Sequence, residues 1–403
     1  MKNVFYDDGV IIRSARKIMQ KNKKGLYIHV PFCRSKCIYC DFVSYSGQDG
    51  KIDWYLENLV DEMELFKGEK ISTIFIGGGT PSLLSRKQLE YLFRNLAGKF
   101  DLAELEEFTI EANPESLTIE KIDFLKDNEF VKVDRISIGL QSFDDAVLQK
   151  IGRHYSVADF CKKFAEIRAA GFDNINIDII IGWSILKTEN KFLDELQNFI
   201  KKLSPEHISL YLLSIPENSK LQQMIDNKTI KDIESDIQID EFLAAIKILK
   251  SAGYFHYEIS NFAKPSKKCQ HNLGYWNRTE YIGIGANACG FIGNFRYKNP
   301  SSMDDYADMV KGKKYELIRE IEKLGDRERF VEEISLGLRM LDTGINLEQI
   351  RREFGFLLDE KIDDKINNFV NDGYLKFDSR KNGNVLLTEK GVCVSNSIFA
   401  DMI

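Results

Sequence analysis

Six short, apolar, β-rich runs alternate with helix-period segments over the first half of the chain. This alternation constrains the fold more than any single motif. The runs are Leu26–Val30, Thr73–Ile76, Phe108–Ala112, Arg135–Ile138, Ile175–Ile181 and His207–Leu213. They recur at the spacing of βα units. Between the first two, Leu56, Leu59, Val60 and Met63 follow a helical period within residues 54–66. Ser85 and Thr118 read as N-caps of helices running to Leu96 and Asn128, and Val157–Ala170 ends on Gly171 as a C-cap. Alternating βα units imply an α/β parallel sheet, either open or curled into a partial TIM-type barrel. Periodicity alone does not choose between the two.

Residues 251–300 are richer in Gly, Asn and aromatics and read as loop with short strands. Beyond them the texture changes to amphipathic helices at Arg327–Leu341, Leu347–Phe354 and Lys361–Asp372. A hairpin pattern follows at Gly373–Gly391 around Asn382–Gly383. Helices followed by a hairpin predict a winged-helix-like module, and such modules often bind DNA. From Ile318 to Ile403, however, 13 Lys and Arg face 17 Asp and Glu. That acidic balance makes the module a poor phosphate binder and points to a lid or packing role. The 403 residues carry a net charge of -6, so the whole chain shows no general affinity for nucleic acid or anionic lipid. No run reaches membrane-span length, and the start lacks the long apolar stretch of a signal peptide. Seven cysteines, with Cys161, Cys269, Cys289 and Cys393 scattered, predict free thiols in a reducing cytoplasm.

The other three cysteines are clustered. Cys33, Cys37 and Cys40 form CxxxCxxC just after the first strand, where α/β sheets place their sites. Three thiolates in eight residues can hold an iron–sulfur cluster and leave one iron open for a substrate. A structural zinc site is the alternative, but no second closely spaced cysteine pair is present to complete it. Gly77–Gly78–Gly79–Thr80–Pro81 ends the second strand, and its glycines suit close approach of backbone N–H groups to an anion. Glu111, Gln141 and Asp178 end the third, fourth and fifth strands. Each alone reads as a satisfied core or cap group; together, on one sheet edge, they read as a site. His271 opens the run HNLGYW, which suits either a planar ligand or haem iron, or a histidine and two aromatics packed under a loop.

Together these motifs resemble the radical S-adenosylmethionine (SAM) superfamily, within it the HemN/HemW family of oxygen-independent coproporphyrinogen III oxidase-like proteins. YIHVPFC, GGGTPS, EANPE, GLQSF and HNxxYW stand in family order between Gly25 and Arg296. The run Cys40–Asp41–Phe42 is similar to the haem-chaperone branch, because the decarboxylating oxidases have a cysteine at the place of Phe42 and a longer N-terminal region. The resemblance implies a partial (β/α)6 barrel over residues 25–250 after an N-terminal extension, 1–24. It also implies a segment over 251–310 that completes the core and a C-terminal winged-helix-like domain over 311–403. It implies a [4Fe-4S] cluster on Cys33, Cys37 and Cys40. Tyr27, Tyr39, Gly78, Gly79, Thr80, Glu111, Gln141, Arg153 and Asp178 match SAM contacts, and His271 matches a histidine associated with haem. Reductive cleavage of SAM, an electron donor such as flavodoxin or ferredoxin, and a haem-acceptor protein are implied partners and chemistry. The alternatives within the family are porphyrin decarboxylation and a HemN-like methyltransferase. Two departures stand out: Gly182–Lys187 replaces a Gly-Leu-Pro-Gly-Gln-Thr turn, and the run GANACG with Cys289 replaces one ending in histidine.

Overall fold

The computed structural model describes residues 23–186, 191–217, 219–231, 234–355, 360–378 and 383–402. Lys187, Asn382 and nearly all of the N-terminal extension lie outside the described residues. Six parallel strands form the centre: β1 (Lys24–Val30), β2 (Ile71–Gly78), β3 (Glu107–Ala112), β4 (Arg135–Gln141), β5 (Ile175–Ile181) and β6 (His207–Leu212). The six expected runs are these strands: four are extended by up to three residues at an end, the fifth is as expected, and the sixth stops one residue short of Leu213. Helices α1 (Ile52–Met63), α2 (Arg86–Lys99), α3 (Ile119–Lys126), α4 (Val157–Ala169) and α5 (Phe192–Leu203) provide the crossovers, and α6 (Ser235–Ser251) follows β6.

The strands alternate strictly, which decides what each face does. Ile74, Ile76, Phe108, Ile110, Ile136, Ile138, Ile177 and Ile179 point outward into the helices and are fully buried there. Their neighbours Glu111, Arg135, Ser137, Asp178 and Ser209 point inward, so the barrel lumen is polar.

The sheet does not close. Short strands extend it on both edges: β7 (Phe255–Glu258) and β8 (Asn261–Ala263) beyond β6, and β9 (Tyr281–Ile284), β10 (Cys289–Ile292), β11 (Phe295–Lys298) and β12 (Glu320–Lys323) beyond β1. The order is β12-β11-β10-β9-β1-β2-β3-β4-β5-β6-β8-β7, a 12-stranded partial barrel. Only β9 among the added strands runs parallel to its neighbour β1. The motif HNLGYW lies on a short helix, α7 (Gln270–Trp276), and not under a loop as its composition suggested. Beyond the sheet, helices Asp326–Gly337, Leu347–Phe354 and Glu360–Asn371 precede an antiparallel pair, Leu375–Asp378 with Asn384–Leu387. Two helices absent from the sequence expectation, Glu389–Cys393 and Ser395–Met402, close the chain. Among the described residues no helix is long and apolar enough to cross a membrane.

Candidate functional site

A cavity of about 370 Å³ opens at the C-terminal edge of β1–β6 and runs down into the lumen. Cys33, Cys37 and Cys40 line its mouth, on the loop that leaves β1. None is in a disulfide. Burial pushes the Cys33 thiol up and the Cys40 thiol up to about 11, and each thiol feels the charge of Cys37. No three His, Cys, Asp or Glu side chains converge at single-ion distance among the described residues. Three thiols on one loop at the cavity mouth can each serve a different iron of a four-iron cluster, and the donor set suits such a cluster.

The glycine turn is strapped to this loop. Gly78 has φ 105°, and a Cβ there would fall 2.4 Å from the His29 ring. At Gly79 a Cβ would meet the Phe32 carbonyl oxygen at 2.6 Å. The expectation that these N–H groups are free to cradle an anion is corrected by their partners. Gly78 N donates to Glu111 Oε2 at 3.2 Å, Gly79 N to Val30 O at 2.9 Å, and Thr80 N to Phe32 O at 2.7 Å. The glycines let β2 approach the cysteine loop; they do not present open donors.

A chain of side-chain hydrogen bonds then leads back to sulfur. Arg153 Nη2 donates to Tyr39 OH at 2.8 Å, and Nη1 donates to Asn113 Oδ1 at 2.6 Å. Asn113 Nδ2 donates to Thr80 Oγ1 at 3.1 Å, and Thr80 Oγ1 donates to Cys33 Sγ at 3.6 Å. Donors to a ligating sulfur orient it and tune its cluster. Trp183, in the turn that departs from the family pattern, packs edge-on against Tyr39 at 5.4 Å and donates from Nε1 to Gln141 O at 3.0 Å. Gln141 itself has φ 70°, a left-handed conformation that a residue with a long side chain adopts only where its surroundings enforce it.

Deeper in the lumen are two carboxyl groups. Burial, then the charge of Asp178, pushes Glu111 up to about 8. Burial also raises Asp178, against hydrogen bonds from Asn176 Nδ2 at 2.7 Å and Ser137 Oγ at 3.1 Å. The floor holds Arg135, 2% exposed, whose guanidinium donates from Nη1 to Thr109 Oγ1 at 3.4 Å, while its buried Nε has no hydrogen-bond partner among the described residues. Arg135, Asn113, Ser137, Asn176, Ser209, Tyr211 and Asn272 line the cavity and were missed by motif reading. The signal that could have found most of them is strand alternation: in NINIDIII, Asn176 and Asp178 share one face.

Two expected site residues stand apart from the cavity lining. Tyr27 lies within the barrel with its hydroxyl 2.9 Å from His29 Nδ1 and its ring 6.3 Å from Phe75. His271 lies towards the N-terminal ends of the strands, beside a separate pocket of about 210 Å³. The other expected residues, from the cysteines to Asp178, share the one cavity.

The sequence model of the Radical SAM superfamily matches residues 27–196. A protein named heme chaperone HemW from Lactococcus lactis subsp. lactis (strain IL1403) is 35% identical over 381 residues, 94% of this chain and 97% of that one. A second, from Bacillus subtilis (strain 168), is 33% identical and covers 93% of this chain and 98% of its own length. The chain belongs to the HemW family of radical SAM proteins. Its fold is also that of the coproporphyrinogen III oxidase HemN from Escherichia coli, with a TM-score of 0.81, 22% identity, and coverage of 99% of this chain and 93% of that one. Membership in the radical SAM superfamily brings a [4Fe-4S] cluster and SAM as cofactors. The thiol set and the polar, enclosed lumen beside it suit both.

Haem at His271 does not fit as the chain stands. The ring is 3% exposed, with Nδ1 2.8 Å from Thr73 Oγ1 and Nε2 2.9 Å from Tyr275 OH. Both nitrogens are engaged, and neither faces solvent with a free lone pair. The run GANACG is likewise structural: Gly285 N donates to Glu62 Oε2 at 2.9 Å and Ala286 N to Tyr55 OH at 2.9 Å.

Proposed function

We propose that this chain is a haem chaperone that carries a [4Fe-4S] cluster and SAM, binds haem, and delivers it to an acceptor protein in the cytoplasm. The observation that carries this reading is the nearly full-length similarity to proteins named heme chaperone HemW. Phe42 supports it. It stands 62% exposed at the cavity mouth, where the decarboxylating oxidases of the family have a cysteine. In this reading Cys33, Cys37 and Cys40 hold the cluster, and Thr80 donates to the sulfur of Cys33. Glu111, Gln141, Arg153 and Asp178 bind SAM from the cavity wall, Tyr39 holds the Arg153 fork in place, and Tyr27 supports the wall from behind. When bound, the cluster and SAM supply one-electron reductive cleavage of the sulfonium, with a flavodoxin or ferredoxin as electron source. The chain's own contribution is orientation and a lumen from which bulk water is largely excluded.

One observation favours a second reading. The under-bonded Arg135 guanidinium in the lumen floor suits a small-molecule occupant, as in an enzyme acting on a porphyrin or another carboxylate. Anaerobic reconstitution, followed by parallel assays of haem uptake and coproporphyrinogen consumption with SAM and dithionite, separates the two. Stoichiometric haem uptake without porphyrin turnover is expected. Decarboxylation of coproporphyrinogen would overturn the chaperone reading.

A further inference from the structure

The helix that bears HNLGYW plugs the N-terminal mouth of the barrel, and its fastenings are unusual for seven residues. Its N-cap, Cys269, makes no side-chain cap bond. The first amides are capped from across the lumen instead. Glu107 at the start of β3 accepts from Gln270 N at 2.8 Å and His271 N at 3.1 Å. A buried helix end left without partners would cost stability, so this carboxylate substitutes for the missing cap.

His271 supplies the second fastening. Its two ring nitrogens join Thr73 on β2 to Tyr275 one turn further along the same helix. A neutral imidazole has one donor and one acceptor, and two hydroxyl groups satisfy both. The ring is walled in as well. Phe75 lies 5.4 Å away, Tyr275 stands edge-on at 4.9 Å, and a Cβ on Gly25 would come within 3.3 Å of Cε1. Burial, then the charge of Arg135, pushes the imidazole down to about 3, so it stays neutral at physiological pH. The pocket beside it, about 210 Å³, falls below the roughly 300–1,000 Å³ of sites that bury a drug-sized ligand. Two other residues of the motif face elsewhere. Asn272 lines the main cavity, and Trp276 lies 4.5 Å beneath the Arg339 guanidinium of the C-terminal module.

We infer that His271 is a positioning residue, a latch that holds the plug helix so that Asn272 closes the floor of the cavity, and that any iron ligand for haem comes from outside this motif. The part concerning haem rests on the chaperone reading; the latch does not. The test uses the full-length reconstituted protein in two arms.

In the first arm, hydrogen exchange is measured without haem at the amides of Leu273 to Asn277 in wild type, Thr73→Val, Tyr275→Phe and His271→Ala. Each variant breaks one or both latch bonds, so exchange there is expected to rise about tenfold. Exchange equal to wild type in the variants that fold overturns the latch. In the second arm, ferric haem is added, and the absorption and EPR signatures of the iron are compared between wild type and His271→Ala, or Thr73→Val and Tyr275→Phe if His271→Ala does not fold. Unchanged axial ligation is expected. Loss of a nitrogen-ligand signature in His271→Ala that added imidazole restores overturns the assignment. With the two hydroxyl variants alone, a change in axial ligation overturns it. A wild-type protein that takes up no haem overturns the chaperone reading, and the first arm still decides the latch.

Discussion

Single residues in the lumen set the pH behaviour of this protein. Glu111 ends an apolar strand whose alternate residues, Phe108 and Ile110, are fully buried on the other face. Its own side chain faces Asp178 across a polar cavity, and burial with that neighbour holds it near 8 against an ordinary value of 4.5. The folded state thus keeps a proton that the unfolded chain releases. The Glu111 contribution to the stability of the ligand-free protein falls as pH rises through the window between 4.5 and about 8, by up to about 1.4 kcal/mol per pH unit. Urea denaturation of wild type and Glu111→Gln in parallel from pH 5 to pH 8 should show that fall as the difference between the two slopes, because the other buried carboxyls and the neutral buried histidines titrate in both proteins. A Glu111→Gln protein with the wild-type slope would place the titrating group elsewhere. The residue's place at a strand end is legible in TIEANPE; the pairing with Asp178 is not, because it depends on two strands curling their inner faces together.

At the scale of elements, local chemistry specifies ends well and partners poorly. Ser85 starts α2 with a capping box: Gln88 N donates to Ser85 Oγ at 3.3 Å and Ser85 N to Gln88 Oε1 at 2.8 Å. That start is readable from Ser85 alone, since the hydroxyl accepts from an amide otherwise orphaned. Ser85→Ala should lower unfolding free energy by about 1 kcal/mol, seen as a lower denaturation midpoint with SAM binding retained. The plug helix shows the opposite case. Its N-terminus is capped by Glu107, more than 160 residues earlier in the chain, and no local pattern marks that. The short strands β7 to β12 were hard to read for a related reason: at three or four residues they are too short to display a period and exist because an edge of the sheet is there to pair with.

At the scale of the whole molecule, one buried ion pair ties the added strands to the barrel. Glu62 on α1 is fully buried and pairs with Arg319, just before β12. It also accepts from Asn299 Nδ2 at 2.8 Å and Tyr306 OH at 2.6 Å. Removing the cation strands a charge in the interior, so Arg319→Met should cost about 3–5 kcal/mol, read as a loss in chemical-denaturation stability. A cost below about 1 kcal/mol, the worth of a surface pair, would mean that the network carries no such weight. The sheet's failure to close is also decided at this scale. Strands β12 and β7 are the two edges of the sheet and do not pair with each other to complete a ring.

The sequence by itself determined the class of fold, the six central strands, the cysteine loop, and the places of Glu111 and Gln141 at strand ends, because these follow from local periodicity and covalent spacing; Asp178, expected at an end, stands mid-strand in β5. The tertiary structure alone decided that the lumen is polar, that the amides of Gly78, Gly79 and Thr80 are spent on Glu111, Val30 and Phe32, and that His271 is locked between Thr73 and Tyr275. The physical reason is the same in each case. A hydrogen bond or a buried charge is defined by what faces it, and curling the sheet brings together groups that lie far apart along the chain.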